Sequence, residues 1–404
     1  MDRSCAGGPV PALTVVGHPV TAPINPLMPA PSLNPGVLIE EGLPGGQPIS
    51  GGSTSVTAFV GPARRGAVNR AVRIQSLNDY ERHFGPLGSR WETGYAVMQY
   101  FLNGGHDAWV VRVALHASLA KIRKALRALD AIEPVNLLVL PGNSDPAVRE
   151  AAAGYCFGRR AFLIADPPAA QTPAQMAIGL APAVGEWWRN AAIYYPWIRI
   201  ADPANGGQPR VSAPSGTVAG LFVRTDINRG CWKAPAGVDA TLAGVVGLEL
   251  ALGDAENGQL SPLGVNCLRK FANLPVPVVW GARTMRGADA LTDEYKYIPV
   301  RRLALYIEES LTRGLNWAVF EPNAEPLWAK LRDSVSNFLN EMFRQGAFQG
   351  SKAAEAYFVK CDSATSTPGD LAAGLVNLQV GFAPMKPAEF VVLRIQLRAG
   401  PAGA

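Results

Sequence analysis

Between residues 56 and 200, short apolar runs of strand length alternate with longer segments of helical character, and this alternation limits the possible folds more than any other feature. Val56-Thr57-Ala58-Phe59-Val60 reads as a strand closed by Gly61-Pro62. Ser76-Leu77-Asn78-Asp79 has the form of a capping box with Asp in the acidic position, opening a short helix to Phe84. A helix follows over 91–102, stopped by Asn103-Gly104-Gly105, and then a strand over 108–113. Ser118 is placed to cap a helix over 119–129. Beyond it the pattern predicts a strand over 135–140, a helix after Asp145-Pro146, a strand over 161–165, a helix over 173–189 and a strand over 191–200. Parallel strands need crossover connections, and helices between strands supply them; the pattern therefore predicts a mostly parallel sheet with helices on its faces.

The last third reads differently. Leu303, Ile307, Leu311 and Leu315 mark one face of a helix. Pro326 opens a second helix, with a stripe of Leu327, Leu331, Val335, Phe338, Leu339 and Met342, and Gly346 ends it. Strands over 356–360 and 375–382 complete an α+β module. Outside the compact middle lie two more strand-like segments, Pro35-Gly36-Val37-Leu38-Ile39-Glu40-Glu41 and Glu389-Phe390-Val391-Val392-Leu393-Arg394-Ile395-Gln396-Leu397. In the second, Val391, Leu393, Ile395 and Leu397 share one face and Arg394 and Gln396 the other. Proteins normally blunt unpaired strand edges, so two such segments point to a subunit that donates strands to its neighbours. Residues 1–34 are rich in Pro, Ala and Gly, show little periodicity and read as an extended leader.

Composition narrows the function. Charged residues make up 17% of the 404, against about 25% in ordinary soluble domains. A surface that poor in charge suits a subunit covered by neighbours, and equally an alanine-rich chain with short side chains. The net charge of +5 is mild for this length, and Arg64-Arg65, Arg159-Arg160 and Arg301-Arg302 are scattered pairs without aromatic interleaving. Nucleic-acid binding is therefore not expected. Five cysteines without a CxxC argue against a disulfide framework and for synthesis in a reducing cytoplasm. No apolar run reaches the ~18 residues of a membrane span, and the first residues lack the plan of a signal peptide. Direct membrane insertion is not expected; release would be by lysis or within a particle.

The chemistry of an enzyme is hard to assemble from this chain. His18, His83, His106 and His116 all precede most of the α/β region, and no Gly-x-Ser-x-Gly elbow is present. Gly46-Gln47-Pro48-Ile49-Ser50-Gly51-Gly52-Ser53 has P-loop glycine spacing, but Gly52 stands where Lys is required and a strand follows. Asp166 ends a strand, where many α/β enzymes hold a metal, yet Pro167-Pro168 beside it favours a turn. No His/Cys pair has ligand spacing. Catalytic, cofactor and metal sites are accordingly not assigned. The rival readings are an α/β hydrolase or nucleotide-binding protein, which lacks its constellation, and a non-contractile scaffold.

An ordered set of short stretches adds a resemblance. It comprises the segment 35–41, Ser53-Thr54-Ser55-Val56-Thr57-Ala58-Phe59-Val60-Gly61, Tyr100-Phe101-Leu102-Asn103-Gly104-Gly105, Tyr195-Pro196-Trp197-Ile198, Pro214-Ser215-Gly216, Arg224-Thr225-Asp226, Trp232-Lys233-Ala234-Pro235-Ala236-Gly237, Asn266-Cys267-Leu268-Arg269, Val279-Trp280-Gly281-Ala282-Arg283-Thr284, Phe320-Glu321-Pro322-Asn323 and the terminal strand. Together they resemble the sheath protein of contractile injection systems and contractile phage tails, over nearly everything after the leader.

The resemblance implies an α/β plus α+β chain. A leader (1–34) precedes an arm strand and linker (35–52) and the N-terminal part of the sheath core (53–115). A subtilisin-like, non-catalytic α/β domain (116–285), a C-terminal α+β sheath domain (286–387) and an arm strand (388–404) follow. It also implies partners: further copies in six-fold rings stacked as a helix, an inner tube protein, and baseplate and terminal cap proteins. Val37, Leu38, Ile39 and Glu40, with Val391, Leu393, Arg394, Ile395 and Leu397, are the expected inter-subunit strand residues. Lys330, Asp333, Asn337, Glu341 and Arg344 share the polar side of the 326–345 helix and are the candidates for facing the tube. Arg283 and Trp232 fit either a fold-holding or an interface role.

Overall fold

The structure is a computed structural model that describes residues 12–17, 47–179, 183–319, 321–373 and 375–389. The expected arm strands at 35–41 and from 390 onward lie outside the described residues. The chain runs β1 (Ala12–Gly17), β2 (Thr57–Pro62), β3 (Ala71–Ile74), α1 (Leu77–Phe84), α2 (Glu92–Leu102) and β4 (Ala108–Val113). The alternation continues with α3 (Leu119–Arg127), β5 (Leu137–Val139), α4 (Pro146–Gly158), β6 (Phe162–Ala165), α5 (Pro173–Gly179) and β7 (Ala191–Tyr195). Next come β8 (Ile198–Asp202), β9 (Gln208–Ser212), α6 (Ser215–Arg229), β10 (Val245–Leu248), α7 (Asp254–Leu260), β11 (Val265–Arg269) and β12 (Val278–Trp280). The chain closes with α8 (Ile298–Gly314), α9 (Glu325–Arg344), α10 (Ala353–Ala356), β13 (Tyr357–Lys360), α11 (Pro368–Ala373) and β14 (Val376–Phe382).

Eight strands form one sheet in the order β12-β11-β7-β6-β5-β2-β4-β3. All its internal pairings are parallel; only β3 and β12, at the two edges, run antiparallel. The strands therefore alternate between two cores. Phe59, Val110, Leu137, Val139, Phe162, Ile164 and Tyr194 face α2 and α6, whereas Ala58, Val60, Val111, Leu138, Leu163 and Ile193 face α3 and α4. On the first face α2 and α6 approach closely enough that a Cβ at Gly216 or Gly220 would collide with the backbone of Ala96 or Tyr100.

Local chemistry accounts for several boundaries. Ser76 Oγ accepts from the Asp79 N–H (3.1 Å), and Asp79 reaches back to the Gln75 N–H (3.0 Å), one residue beyond a standard capping box. Asp145 Oδ1 caps α4 through the Ala147 N–H (2.8 Å), with Pro146 in the first turn. Ser118 precedes α3 but its hydroxyl makes no cap hydrogen bond.

Two sequence expectations are corrected. Of the helix expected over 173–189, the described residues are helical over Pro173–Gly179, and a separate 3-10 turn occupies Glu186–Asn190 behind an extended Gly185. The strand expected over 191–200 is two strands. Pro196 has no N–H to offer a ladder, and the chain leaves the large sheet after Tyr195 to form a small antiparallel sheet of order β10-β8-β9.

In the last third the α8 stripe of Leu303, Ile307 and Leu311 packs with the α9 stripe and with Leu378, Val380 and Phe382 of β14. Gly346 ends α9 with a φ of 80°, a conformation that costs glycine little. Beside these helices lies an antiparallel sheet of order β1-β14-β13. Its outer strand β1 comes from the leader, where the sequence shows little periodicity, and pairs in register from Ala12↔Gly381 to Gly17↔Val376. Among the described residues no helix is long and apolar enough to cross a membrane.

Candidate functional sites: the strand-end crevice and the assembly surfaces

Open α/β sheets bind ligands beyond the carboxyl ends of their strands, where the strand order reverses. Here the order reverses at β2, between β4 and β5, and the space beyond is occupied by the protein's own polar groups. A Cβ at Gly61, near the end of β2, would collide with Thr93 of α2. Glu92 accepts from the Ala213 N–H (2.8 Å), from Arg210 Nη2 (2.6 Å) and from the Ser212 hydroxyl. The Arg210 guanidinium lies 4.1 Å from the Tyr95 ring centre, and the Tyr95 hydroxyl donates to Asp202 Oδ1 (2.7 Å).

Asp166 sits just past β6 and is 1% exposed. It accepts from the Gly142 N–H (2.9 Å), the Ser215 N–H (2.9 Å) and the Ser215 hydroxyl (2.6 Å). It thereby joins the turn after β5 to the start of α6. The Ser215 hydroxyl, at a helix N-terminus, has a carboxylate where a nucleophile would need an imidazole. His83, His106 and His116 are all exposed, and His18 lies outside the described residues. Among the described residues no group of three or more His, Cys, Asp or Glu could hold a metal. Gly51 and Gly52 of the P-loop-like stretch lie along α8, where the Gly52 N–H donates to Ser310 Oγ (2.9 Å) and a Cβ at Gly51 would collide with the Tyr306 hydroxyl.

Asp166 yields two expected results. Replacing it with Ala leaves three donors without an acceptor, the two of Ser215 buried and that of Gly142 half-buried, which costs about 3 kcal/mol in chemical denaturation. Burial pushes its carboxyl from an ordinary 3.8 up to about 7, against the three hydrogen bonds that favour the charged form. A carboxyl that is easier to protonate when folded stabilises the fold at low pH and loses that contribution as pH rises. Subunit stability should therefore decline between about pH 4 and pH 7 through this group, and Asp166→Asn should flatten that part of the profile.

The surfaces that could meet other molecules lie elsewhere. On α9, Asp333, Asn337, Glu341 and Arg344 are exposed and Lys330 is half-buried, all on the side opposite the apolar stripe. Glu341 accepts from Gln345 Nε2 (2.9 Å). Two positive and two negative side chains make this face polar and neutral overall. The β13 edge of the C-terminal sheet is exposed at Phe358 and Lys360, and β14 already takes β1 from the far end of the chain. The strand residues Val37, Leu38, Ile39, Glu40, Val391, Leu393, Arg394, Ile395 and Leu397 lie outside the described residues.

Arg283, whose role the sequence left open, is 3% exposed and pairs with Glu389 and Asp289; Trp232 is half-buried in the cleft beside it. The Arg283–Glu389 pair spans 106 residues of sequence. Only the charge and the position of Glu389 at the head of the expected terminal strand could have hinted at it.

Comparison with known proteins agrees along the chain. Residues 119–285 match the phage tail sheath protein central domain, and residues 291–398 match the phage tail sheath C-terminal domain. The tail sheath protein of Burkholderia phage BcepMu is 27% identical over 235 residues, 55% of this chain and 47% of that protein. The chain thus spans about half the length of that curated relative. The sheath of the extracellular contractile injection system PVC, in its contracted state, superposes with a TM-score of 0.75 at 29% identity, covering 92% of this chain and 99% of that one. The helical sheath of the anti-feeding prophage in its contracted state gives 0.74 at 30% identity, covering 91% of this chain and 100% of that one. With both sheath domains present in order, and its fold shared across almost the whole of these subunits, the chain belongs to the phage tail sheath protein family.

Proposed function

We propose that the chain is the repeating subunit of a contractile sheath. It polymerises in stacked six-fold rings, as a helix around an inner tube, and shortens to drive that tube through a target envelope. The observation that carries this reading is the agreement of nearly the whole fold with sheath subunits in the contracted state. The family is structural and the chain is not an enzyme, in keeping with a strand-end crevice filled by Glu92, Asp166 and Ser215. The stroke needs no nucleotide. An extended lattice held by the baseplate is metastable, and its interfaces switch between discrete packings, so small gains add along the helix.

In this reading residues 116–285 are a subtilisin-like domain without catalysis, and residues 286–387 form the module nearest the tube. The arms, 35–52 and 388–404, add strands to the C-terminal sheets of neighbouring subunits. Main-chain pairing supplies affinity and alternate side chains supply register. The capture of β1 by β14 supports the competence of that sheet for strand addition. Baseplate and terminal cap proteins bound the sheath; nucleic acid is not a partner, and no direct membrane insertion is expected. The subunit is made in the cytoplasm and stays there or leaves by lysis within a particle.

A tube must be gripped and then released, which favours polar contact over apolar. The α9 face of Lys330, Asp333, Asn337, Glu341 and Arg344 meets that requirement. Reversing the charge of Lys330 and Arg344 should abolish co-sedimentation of tube with sheath and leave subunit folding unchanged; intact recruitment would remove this face from the interface.

The reading as a whole is tested by electron microscopy of the chain expressed with the tube and baseplate proteins of its own particle. Striated hollow cylinders in two lengths and widths are expected. Monodisperse subunits, under conditions where the tube assembles, would overturn it.

A further inference from the structure

After β14 the chain does not stay with the C-terminal sheet. The Ala383 N–H donates to the Ala356 carbonyl (2.8 Å), the Ala383 carbonyl accepts from the Gln349 N–H (2.8 Å) and Pro384 bridges Phe348; among the described residues these are its last backbone ties to that module. Met385 to Glu389 then lie along a cleft of about 580 Å³ whose other walls include Trp232, Pro262, Trp280 and Pro299. At the end of this path Glu389 meets Arg283. Arg283 Nε donates to Glu389 Oε1 at 2.7 Å and Nη2 to Glu389 Oε2 at 2.7 Å. This is the two-point fork that fixes a carboxylate in orientation as well as position.

Arg283 is itself immobilised. Its N–H donates to Asn266 Oδ1 (2.7 Å), and Asn266 Nδ2 donates to the carbonyls of Arg283 (2.8 Å) and Ile193 (3.2 Å). Those bonds tie Arg283 to β11 and β7 of the large sheet. Its remaining guanidinium nitrogen donates to Asp289 Oδ1 (2.9 Å) and the Gly287 carbonyl (3.3 Å). The guanidinium thus faces two carboxylates, and Lys296 Nζ contacts Asp289 (2.6 Å).

We propose that Arg283 is the positioning residue for the C-terminal arm. By gripping Glu389 it roots the arm on the large sheet and sets where the following residues leave the body toward a second copy of this chain. The inference rests on the arm reading given above. A rooted arm presents its strand to a neighbour at a higher effective concentration than an arm free from Met385 onward, and with less ordering left to do on pairing. The pair also carries the pull of a neighbour directly into the sheet rather than through the strand β14.

The test uses the full-length chain and three variants: Glu389→Gln, Glu389→Asp, and a truncation lacking residues 388–404. Nitroxide labels at Lys386→Cys and Ala255→Cys, with Cys5→Ser, report the position of the arm root in the free subunit; the native cysteines at 156, 231, 267 and 361 are buried. The expected result for Glu389→Gln is a broadened distance distribution. It should also raise the subunit concentration needed for sedimentable sheath on purified tube by roughly tenfold, the loss expected of a two-point charge-assisted contact. Glu389→Asp should recover part of both. If the truncation abolishes sheath while Glu389→Gln matches the parent in distance and in assembly, the positioning role falls and the arm reading stands. If the truncation assembles like the full chain, the arm reading falls and the positioning role with it.

Discussion

A chain lacking residues 388–404 should fold, remain soluble and form no sheath. Within the described residues the lost segment touches the body at the cleft and at Arg283. Without Glu389, Arg283 keeps Asp289 at 2.9 Å and its backbone ties to Asn266, so no buried charge is left unpaired. The thermal unfolding midpoint should therefore stay close to that of the parent. Assembly should respond quite differently. Each main-chain hydrogen bond of an added strand contributes about 1 kcal/mol net, and a strand contributes several of them at every subunit contact along the helix. Removing them from all contacts at once should reduce sheaths seen by electron microscopy to none, while sedimentation shows the monomer. Sheaths of normal number and length would end the strand-donation reading, whatever the fate of the residues on α9 proposed to face the tube.

Much of the architecture was legible in the sequence because the large sheet is buried on both faces. Its strands must then be short continuous apolar runs, and β2, β4 and β6 are recognisable as such. The apolar stripes of α8 and α9 were equally plain, since each helix buries one face against the other. What the sequence did not reveal has physical causes. The 173–189 stretch keeps apolar residues at helical spacing, but Gly185 is extended and packs so closely on the Trp187 ring that a Cβ there would collide. The run 191–200 is apolar except at Arg199, because β7 is wholly buried in the large sheet and β8 buries Ile198 and Ile200 in the small one. In β1 the run Leu13-Thr14-Val15-Val16 does not alternate, so pairing with β14 had no periodic signature. The closed crevice depends on Glu92 meeting residues 210–213 and on Asp166 meeting Ser215, contacts between charges that look ordinary in sequence. The scattered pair Arg301-Arg302 illustrates the same limit, for Arg302 is not on the surface at all.

Arg302→Met should destabilise the subunit by about 3–5 kcal/mol, the cost of leaving a buried partner charge uncompensated. The side chains of Arg302 and Asp226 are 5% and 4% exposed. Nη2 lies 2.5 Å from Asp226 Oδ2 and Nη1 2.6 Å from Oδ1. Nη2 also donates to the Thr54 carbonyl at 2.9 Å, and the guanidinium lies 5.0 Å from the Phe222 ring centre. One side chain of α8 thereby joins the helix layer of the large sheet, through α6, and the segment that leads into β2. Arg302→Lys keeps a charge without the fork and should fall between parent and Arg302→Met. Pairing Arg302→Met with Asp226→Leu removes both charges and should recover part of the loss, although the Thr54 carbonyl then lacks its donor. The consequence for function follows from the stroke. If contraction turns subunits as bodies, the junction between the central sheet and the C-terminal module has to resist the load that the proposed arms would transmit. Chemical denaturation gives the first answer: an unfolding free energy for Arg302→Met within about 1 kcal/mol of the parent would show that the pair does not hold this junction. If instead the loss is large and the double variant recovers stability, sheaths built from that double variant should assemble, and the fraction that completes contraction should fall if the fork, rather than packing alone, keeps the subunit rigid.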